Sequence, residues 1–364
     1  MSTSVRSWRT AFLTAAALAG VTAPLVATPA QAAPARTRAA ATLEVLATGL
    51  VNARDVTALR DGRVLVAEAG DGKADCAADA HCVGQSGAVY QVRGTQKGRV
   101  LTGLASAGKG STATGGAQEV SGPTSVEPAA GGGYVVLSGL GGTAETRAAL
   151  GPAASTLGTL YRTRDGKILA DLADIETRLN PDGGDVHANP WRFIKNGSGY
   201  LTTDAGGNTL IASNCVGTTS TRFVFPKNET STGLAEAVPT GIVRGGDGTV
   251  YISDMSGVRK DASRIWKIAP GGQPEVVVTG LTNLVDIALD GKGNLYALSF
   301  TDGFQQGPPK DGRLSKINLS TKAITDVPTT EPLNQPTGLD IGPQGQIYVV
   351  AGNNINSKLL RVRP

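Results

Sequence analysis

Apolar and polar positions along this chain alternate in short runs that stop at Gly, Pro or Asp, and the most regular set lies between residues 237 and 281. There PTGIVR is followed by a Gly-Gly-Asp-Gly turn and TVYISD, a loop of small and charged residues leads to SRIWKI, and a Pro-Gly-Gly turn leads to PEVVVTGL. Short β-branched and aromatic runs with this punctuation predict antiparallel strands. One such sheet cannot bury both faces, so the pattern predicts a fold only if it recurs. It recurs along the whole chain. Second strands read RVLVAEAG, GGYVVLSG, GYLTTDAGG, TVYISDMSG, NLYALSFTDG and QIYVVAGNN. Third strands read AVYQV, TLYRT, NTLIAS, RIWKI, RLSKI and KLLRV, and fourth strands are clearest as GRVLTGLA, GKILADLA and PEVVVTGLT. With the first strands anchored at Val56, Pro123, Pro190, Pro239, Val285 and Pro336, the intervals are 67, 67, 49, 46 and 51 residues. A period near 50 is the mark of a propeller or solenoid.

The last repeat ends at KLLRVRP without a fourth strand, while residues 43–50 (LEVLATGL) resemble VVVTGL and have no repeat of their own. Pairing these two ends would close a ring and leave no open edge between first and last sheets. The expectation is an all-β chain: a six-bladed β-propeller of four-stranded antiparallel blades over residues 42–364, closed by an N-terminal strand completing the last blade. A seven-bladed ring with one degenerated blade is the competing reading. Two long intervals hold insertions between second and third strands, residues 69–86 and 140–157, both placed to cover one face of the ring as loops, lid or plug.

Composition adds a compartment. Residues 1–32 combine Arg6 and Arg9, an apolar run from Ala11 to Val26 and a small-x-small site at Ala30-Gln31-Ala32. That is the pattern of a cleaved Sec-type secretory signal, so the mature chain is expected to be extracellular, with residues 33–41 a flexible lead-in. No later run is long and apolar enough to span a bilayer, so no membrane partner is expected. Without the first 32 residues the basic count falls from 34 to 32 against 30 acids, leaving a net charge of +2. That is too weak and too dispersed for nucleic acid; a monomer is expected. In an exported chain Cys76 and Cys82 are close enough to form a disulfide, a reading favoured over a metal loop with His81. Cys215 is then left over, and a buried unpaired thiol is expected there.

Several of these segments together resemble a known family. NPWRFI with YLTTDAGGNTLIA, VPTGI with GTVYISD and RIWKI, and VTGLTNLVDIALDGKGNLYALSF resemble the ScyD/ScyE family of secreted proteins, itself similar to NHL-type and lactonase-type propellers. The resemblance spans about residues 42–364 and is most specific at DAGGNTL and TNLVDIALD. It implies the fold and export, and supplies no catalytic residues.

Candidate chemistry follows from the repeat. The starts of inner strands and the ends of second strands converge on one mouth of a propeller's channel. Aligned second strands end at Glu68, Ser138, Asp204, Asp254, Ser299 and Ala351; the residue after each anchor is Thr57, Thr124, Trp191, Thr240, Asp286 and Thr337. Glu68, Asn189, Asp204, Asp254 and Asp286 form a candidate Ca²⁺ set, since hard cations take carboxylate and amide oxygens. A lactonase-type enzyme would use such a set to polarise a carbonyl and activate water. The plainer alternative is that these acids bond strand-end N–H groups. Asp55, His187, Asn189 and Trp191 are candidate ligand contacts, with Trp191 able to stack on a ring or sugar and His187 able to move a proton. Asn208 is expected to make turn hydrogen bonds and Trp266 to pack between blades. The sequence thus favours a non-catalytic binding propeller for a small molecule, glycan or protein, with a Ca²⁺-dependent hydrolase or lyase of small or secondary-metabolite substrates as the alternative.

Overall fold

The computed structural model describes residues 39–73, 80–110, 117–302, 311–352 and 355–363. The expected leader and Cys76 lie outside them. The described chain forms six main antiparallel sheets in chain order. Their inner strands are Ala53–Ala58, Pro123–Pro128, Pro190–Asn196, Pro239–Arg244, Leu284–Leu289 and Gly338–Ile341. Each packs against the next, and the sixth against the first, which closes the ring. The expected six-bladed β-propeller is therefore the fold.

Closure is made as expected. Thr42–Leu50 is the outer strand of the sixth blade, with Leu43 opposite Val362 and Val45 opposite Leu360. Glu44 accepts hydrogen bonds from Nε of Arg361 and of Arg363, both at 2.7 Å. At the end of this strand Leu50 is fully buried and packs with Val56 of the first blade and Val350 and Leu359 of the sixth.

The core is distributed between neighbouring blades rather than gathered in one centre. Tyr251, Ile265 and Val278 of the fourth blade meet Leu284, Ile287 and Leu295 of the fifth. Trp266 has the packing role expected of it, lying among Leu201, Leu210 and Phe225 from the third-blade side and Val250 and Ile252 of its own. Its Nε1 donates to Asp254 Oδ2 at 2.7 Å. Burying one such large side chain contributes about 1.5–3 kcal/mol.

The insertions differ from expectation in form. Residues 81–86 are not loop: His81–Arg93 and Gln96–Gly110 pair as a long ribbon that runs past the blade, and Ala117–Ser121 adds a fifth strand. Register breaks at Gly84 and Gly87 let the ribbon turn, and a Cβ at Gly87 would lie 2.8 Å from Pro123 Cδ of the next blade. The second insertion holds a short helix, Ala144–Ala149, capped by Thr143. A further helix, Leu172–Leu179, was hidden because ILADLA also reads as a strand. Asp171 ends that strand and caps the helix by accepting from the Asp174 N–H.

Leu50→Ala is expected to lower unfolding free energy by about 2–5 kcal/mol, as for a buried leucine that leaves a cavity. Urea denaturation checks this, and a change within error would show that the closing strand is not integral to the ring.

Candidate functional site

The inner strands begin with a recurrent irregularity. In the first, second, third and fifth blades the first pair in register is followed by a one-residue slip: Ala53–Glu68 then Asp55–Ala67, Pro123–Ser138 then Ser125–Leu137, Pro190–Asp204 then Arg192–Thr203, Leu284–Ser299 then Asp286–Leu298. Such a bulge leaves one residue unpaired and re-aims its side chain. The bulged residues are Arg54, Thr124, Trp191 and Val285, and the first three line the same pocket at the channel mouth.

This register corrects the sequence alignment. Ala53, not Val56, is the equivalent of Pro190, and Leu284, not Val285. The first and fifth blades lack the proline, and alignment on apolar positions slid along the strand. The corrected ring one step inside the bulge holds Asp55, Ser125, Arg192, Asp286 and Gly338 in the register of Ala67, Leu137, Thr203, Leu298 and Val350. Asp55 and Asp286 are therefore axial residues rather than mouth residues.

Arg192, absent from every candidate set drawn from the sequence, occupies the axis and is 4 % exposed. Its Nε lies 3.2 Å from Asp55 Oδ1, and its Nη2 lies 3.1 Å from Asp286 Oδ2. Nη1 donates to the Thr124 carbonyl at 2.8 Å, and Nη2 to the Arg54 and Thr337 carbonyls, each at 2.7 Å. One side chain of the third blade thus touches the first, second, fifth and sixth. Glycines make room: a Cβ at Gly241 would lie 2.8 Å from Asp286 Oδ1, and one at Gly338 2.8 Å from Asp55 Cα. Burial pushes both carboxyls up, Asp286 to about 6, against the pull of the Arg192 charge. Around this centre, hydroxyls stitch blade to blade: Thr124 to the Pro190 carbonyl, Thr203 to Thr240, Thr240 to Leu284 and Thr337 to Ala53.

Above the plugged axis lies a pocket of about 440 Å³. Arg54, Thr124 and Trp191 form its floor, the first-blade ribbon brings His81 and Ala107, and the second insertion brings Leu140, Thr146 and Leu150. His187 and Asn189 complete the wall. Both histidines of the chain therefore reach one cavity, whereas the sequence placed only His187 near the channel. His81 was missed because the ribbon that carries it read as loop. Trp191 donates its indole N–H to the Val285 carbonyl at 3.1 Å, which fixes the ring across the axis. His187 and Asn189 also face a second pocket of about 310 Å³ with Asp182, Asp185, Asn208 and Glu236. Asn208 makes long-range bonds rather than the turn bonds expected of it, donating to Asp182 and Glu236 and accepting from the Val238 N–H.

The five candidate cation ligands are not brought together. Glu68 is paired with Arg99 at 2.7 Å and accepts the Val51 N–H. Asp254 receives Arg264 Nε at 2.8 Å, with Ser256 and Trp266 completing its shell. Asp204 accepts the N–H groups of Asn189, Gly206 and Gly207, and burial pushes it up to about 6. Asp286 faces Arg192. Among the described residues no group of three or more His, Cys, Asp or Glu side chains is placed to hold a metal ion. This donor set does not fit Ca²⁺ as arranged; the carboxylates hold strand ends and arginines. Cys82 is disulfide-bonded, while Cys215 is exposed on a turn rather than buried, because the Asn214 side chain and the Asn214–Thr218 hairpin turn it outward.

No protein-family model matches the chain, and no curated protein sequence matches it. Solved structures do. A luciferin-regenerating enzyme is 11% identical with a TM-score of 0.53, covering 89% of this chain and 95% of that one. A streptogramin B lyase is 14% identical with a TM-score of 0.51, covering 88% and 97%. Regucalcin from Agrobacterium tumefaciens, a calcium-binding protein, is 13% identical with a TM-score of 0.51, covering 89% and 95%. Identities this low establish the fold alone.

Arg192→Met leaves Asp55 and Asp286 buried without their cation, at a cost of about 3–5 kcal/mol. Folded carboxyls that lie above their unfolded values favour the protonated state, so stability falls as pH rises through them. The deficit against wild type is expected to be larger at pH 8 than at pH 5 by chemical denaturation; an equal deficit at both would refute the electrostatic role.

Proposed function

We propose that this chain is an exported, non-catalytic binding propeller that holds a small molecule in the channel-mouth pocket. The observation that carries this reading is the convergence of Arg54, Trp191, His81, His187 and Asn189 on one cavity of about 440 Å³ whose lining, among the described residues, includes no carboxylate. An aromatic floor with a few polar groups on its walls is the usual form of a small-molecule site. Export is supported by the sequence of residues 1–32 and by the disulfide at Cys82. Kinship with ScyD/ScyE proteins is part of the same proposal, supported by NPWRFI and TNLVDIALD, the segments that supply Arg192 and Asp286 to the axis.

A second reading is favoured by the two histidines. Paired imidazoles at one cavity can remove and return protons, and two structural neighbours, the luciferin-regenerating enzyme and the streptogramin B lyase, are enzymes. Under this reading the chain would be a lyase or hydrolase of a small secondary metabolite.

One experiment separates the two. A small-molecule library is screened by thermal shift, and each hit is incubated with the protein and recovered for mass analysis. Intact recovery is expected, with affinity about tenfold weaker in His187→Ala and Asn189→Ala, the loss of roughly one hydrogen bond to a polar ligand. Conversion that stops in His81→Ala and His187→Ala would replace binding by catalysis, and a melting shift on adding chelator would restore the cation reading.

A further inference from the structure

The opposite face of the ring carries a second kind of cavity. Inner strands begin at the bulged face and end at this one, so Asn196 and Arg244, at the ends of their inner strands, open onto it. Between the third and fourth blades they line a groove of about 460 Å³ together with Arg222 from the outer strand Thr219–Val224 and the turn at residues 270–274. Leu201, Leu210, Val250 and Ile268 form its apolar floor.

Its charge is one-sided. Among the described residues no Asp or Glu lines the groove, although two arginines do. Glu275, the acid next in sequence to the turn, is paired with Lys267 at 2.9 Å, and Asp247 accepts from both the N–H and the hydroxyl of Thr249. Arg244 is held by neutral acceptors only: Nη1 donates to the Gly248 carbonyl at 3.1 Å and Nη2 to Asn196 Oδ1 at 2.8 Å. These bonds orient the guanidinium and leave its charge uncompensated. Because Asn196 accepts through Oδ1, its amide N–H₂ stays available as a donor. Arg222 is exposed and has no ion-pair or hydrogen-bond partner among the described residues. Several arginines elsewhere on the surface meet carboxylates, as in Arg162–Asp165, Arg178–Asp174 and Arg361–Glu44.

We propose that this groove is a binding site for an oxyanion (carboxylate, sulfate or phosphate) borne by a small molecule whose apolar body lies on the Leu201–Val250–Ile268 floor. Arginine forks present paired N–H donors that match such oxyanions, and each charge-assisted bond is stronger than a neutral one. The glycines at 271 and 272 keep the turn low: a Cβ at Gly271 would meet nothing within 4 Å, so the rim is open to a ligand. The site is separate from the channel-mouth pocket and does not depend on what binds there.

The test uses the folded chain with sodium sulfate, phosphate, acetate and benzoate as probes, followed by backbone amide NMR. Saturable shifts are expected at Gly248 and at residues 271–273, with none at His187 or Asn189. Arg222→Gln and Arg244→Gln should each weaken binding about tenfold, as for one charge-assisted bond. Arg222, being exposed and unpartnered, can be replaced without disturbing the fold, and an unchanged melting temperature confirms this. Absence of saturable shifts with all four probes, or affinities unchanged in Arg222→Gln and Arg244→Gln, would overturn the site. Benzoate binding no tighter than acetate would overturn the part played by the apolar floor.

Discussion

A guanidinium with 4 % exposure on the axis of a β-ring is removed from bulk water and must be compensated by partners on the strands around it. Arg192 meets this condition with two carboxylates and carbonyls drawn from several blades. A buried ion pair of this kind is a poor source of net stability, because desolvation offsets most of the attraction. What it supplies is register. The donors of one planar group fix the height of the neighbouring inner strands relative to the third, and the glycines at 241 and 338 are needed for the approach. The channel is closed at this layer, so the two faces of the ring are chemically separate surfaces with one polar plug between them.

Above the plug, the recurrent bulge governs what the mouth presents. Bulged residues are relieved of pairing, and their side chains leave the plane of the blade. At the mouth pocket they are Arg54, Thr124 and Trp191, a set with no common chemistry, while Val285 is buried in the core. The backbone irregularity is repeated while the residue it displays varies. That combination allows a repetitive scaffold to carry a non-repetitive site. The insertions of the first two blades then wall off one side, which is why the pocket lies off the axis against residues 107 and 140–150.

The ring, its blade number and its closure were legible in the sequence because they rest on strand periodicity and on one missing strand with one spare. The site was legible only in part. Trp191, His187 and Asn189 were found at the mouth because proline marks their strand start. Asp55 and Asp286 were recognised as unusual but misplaced, since a bulge inserts a residue without altering the apolar pattern that guides alignment. Arg192 stood in no candidate set because no local motif marks an arginine in a strand as a buried axial group. Its meaning emerges only when Asp55 and Asp286 stand at the same height in other blades. The acids proposed for calcium illustrate the same limit: sequence shows that oxygens converge, not that Arg99 and Arg264 reach them first.

The shared sixth blade has a consequence for how the chain reaches this state. Glu44 and Arg361 are 317 positions apart, so the strand made first stays unpaired until the strand made last has emerged. During that interval both partners present open β-edges, and an edge of this kind pairs with any matching strand within reach. The matching strand on a second copy has the same sequence as the intramolecular one. Partition between a closed monomer and strand-exchanged chains of copies is therefore decided by concentration while folding is in progress.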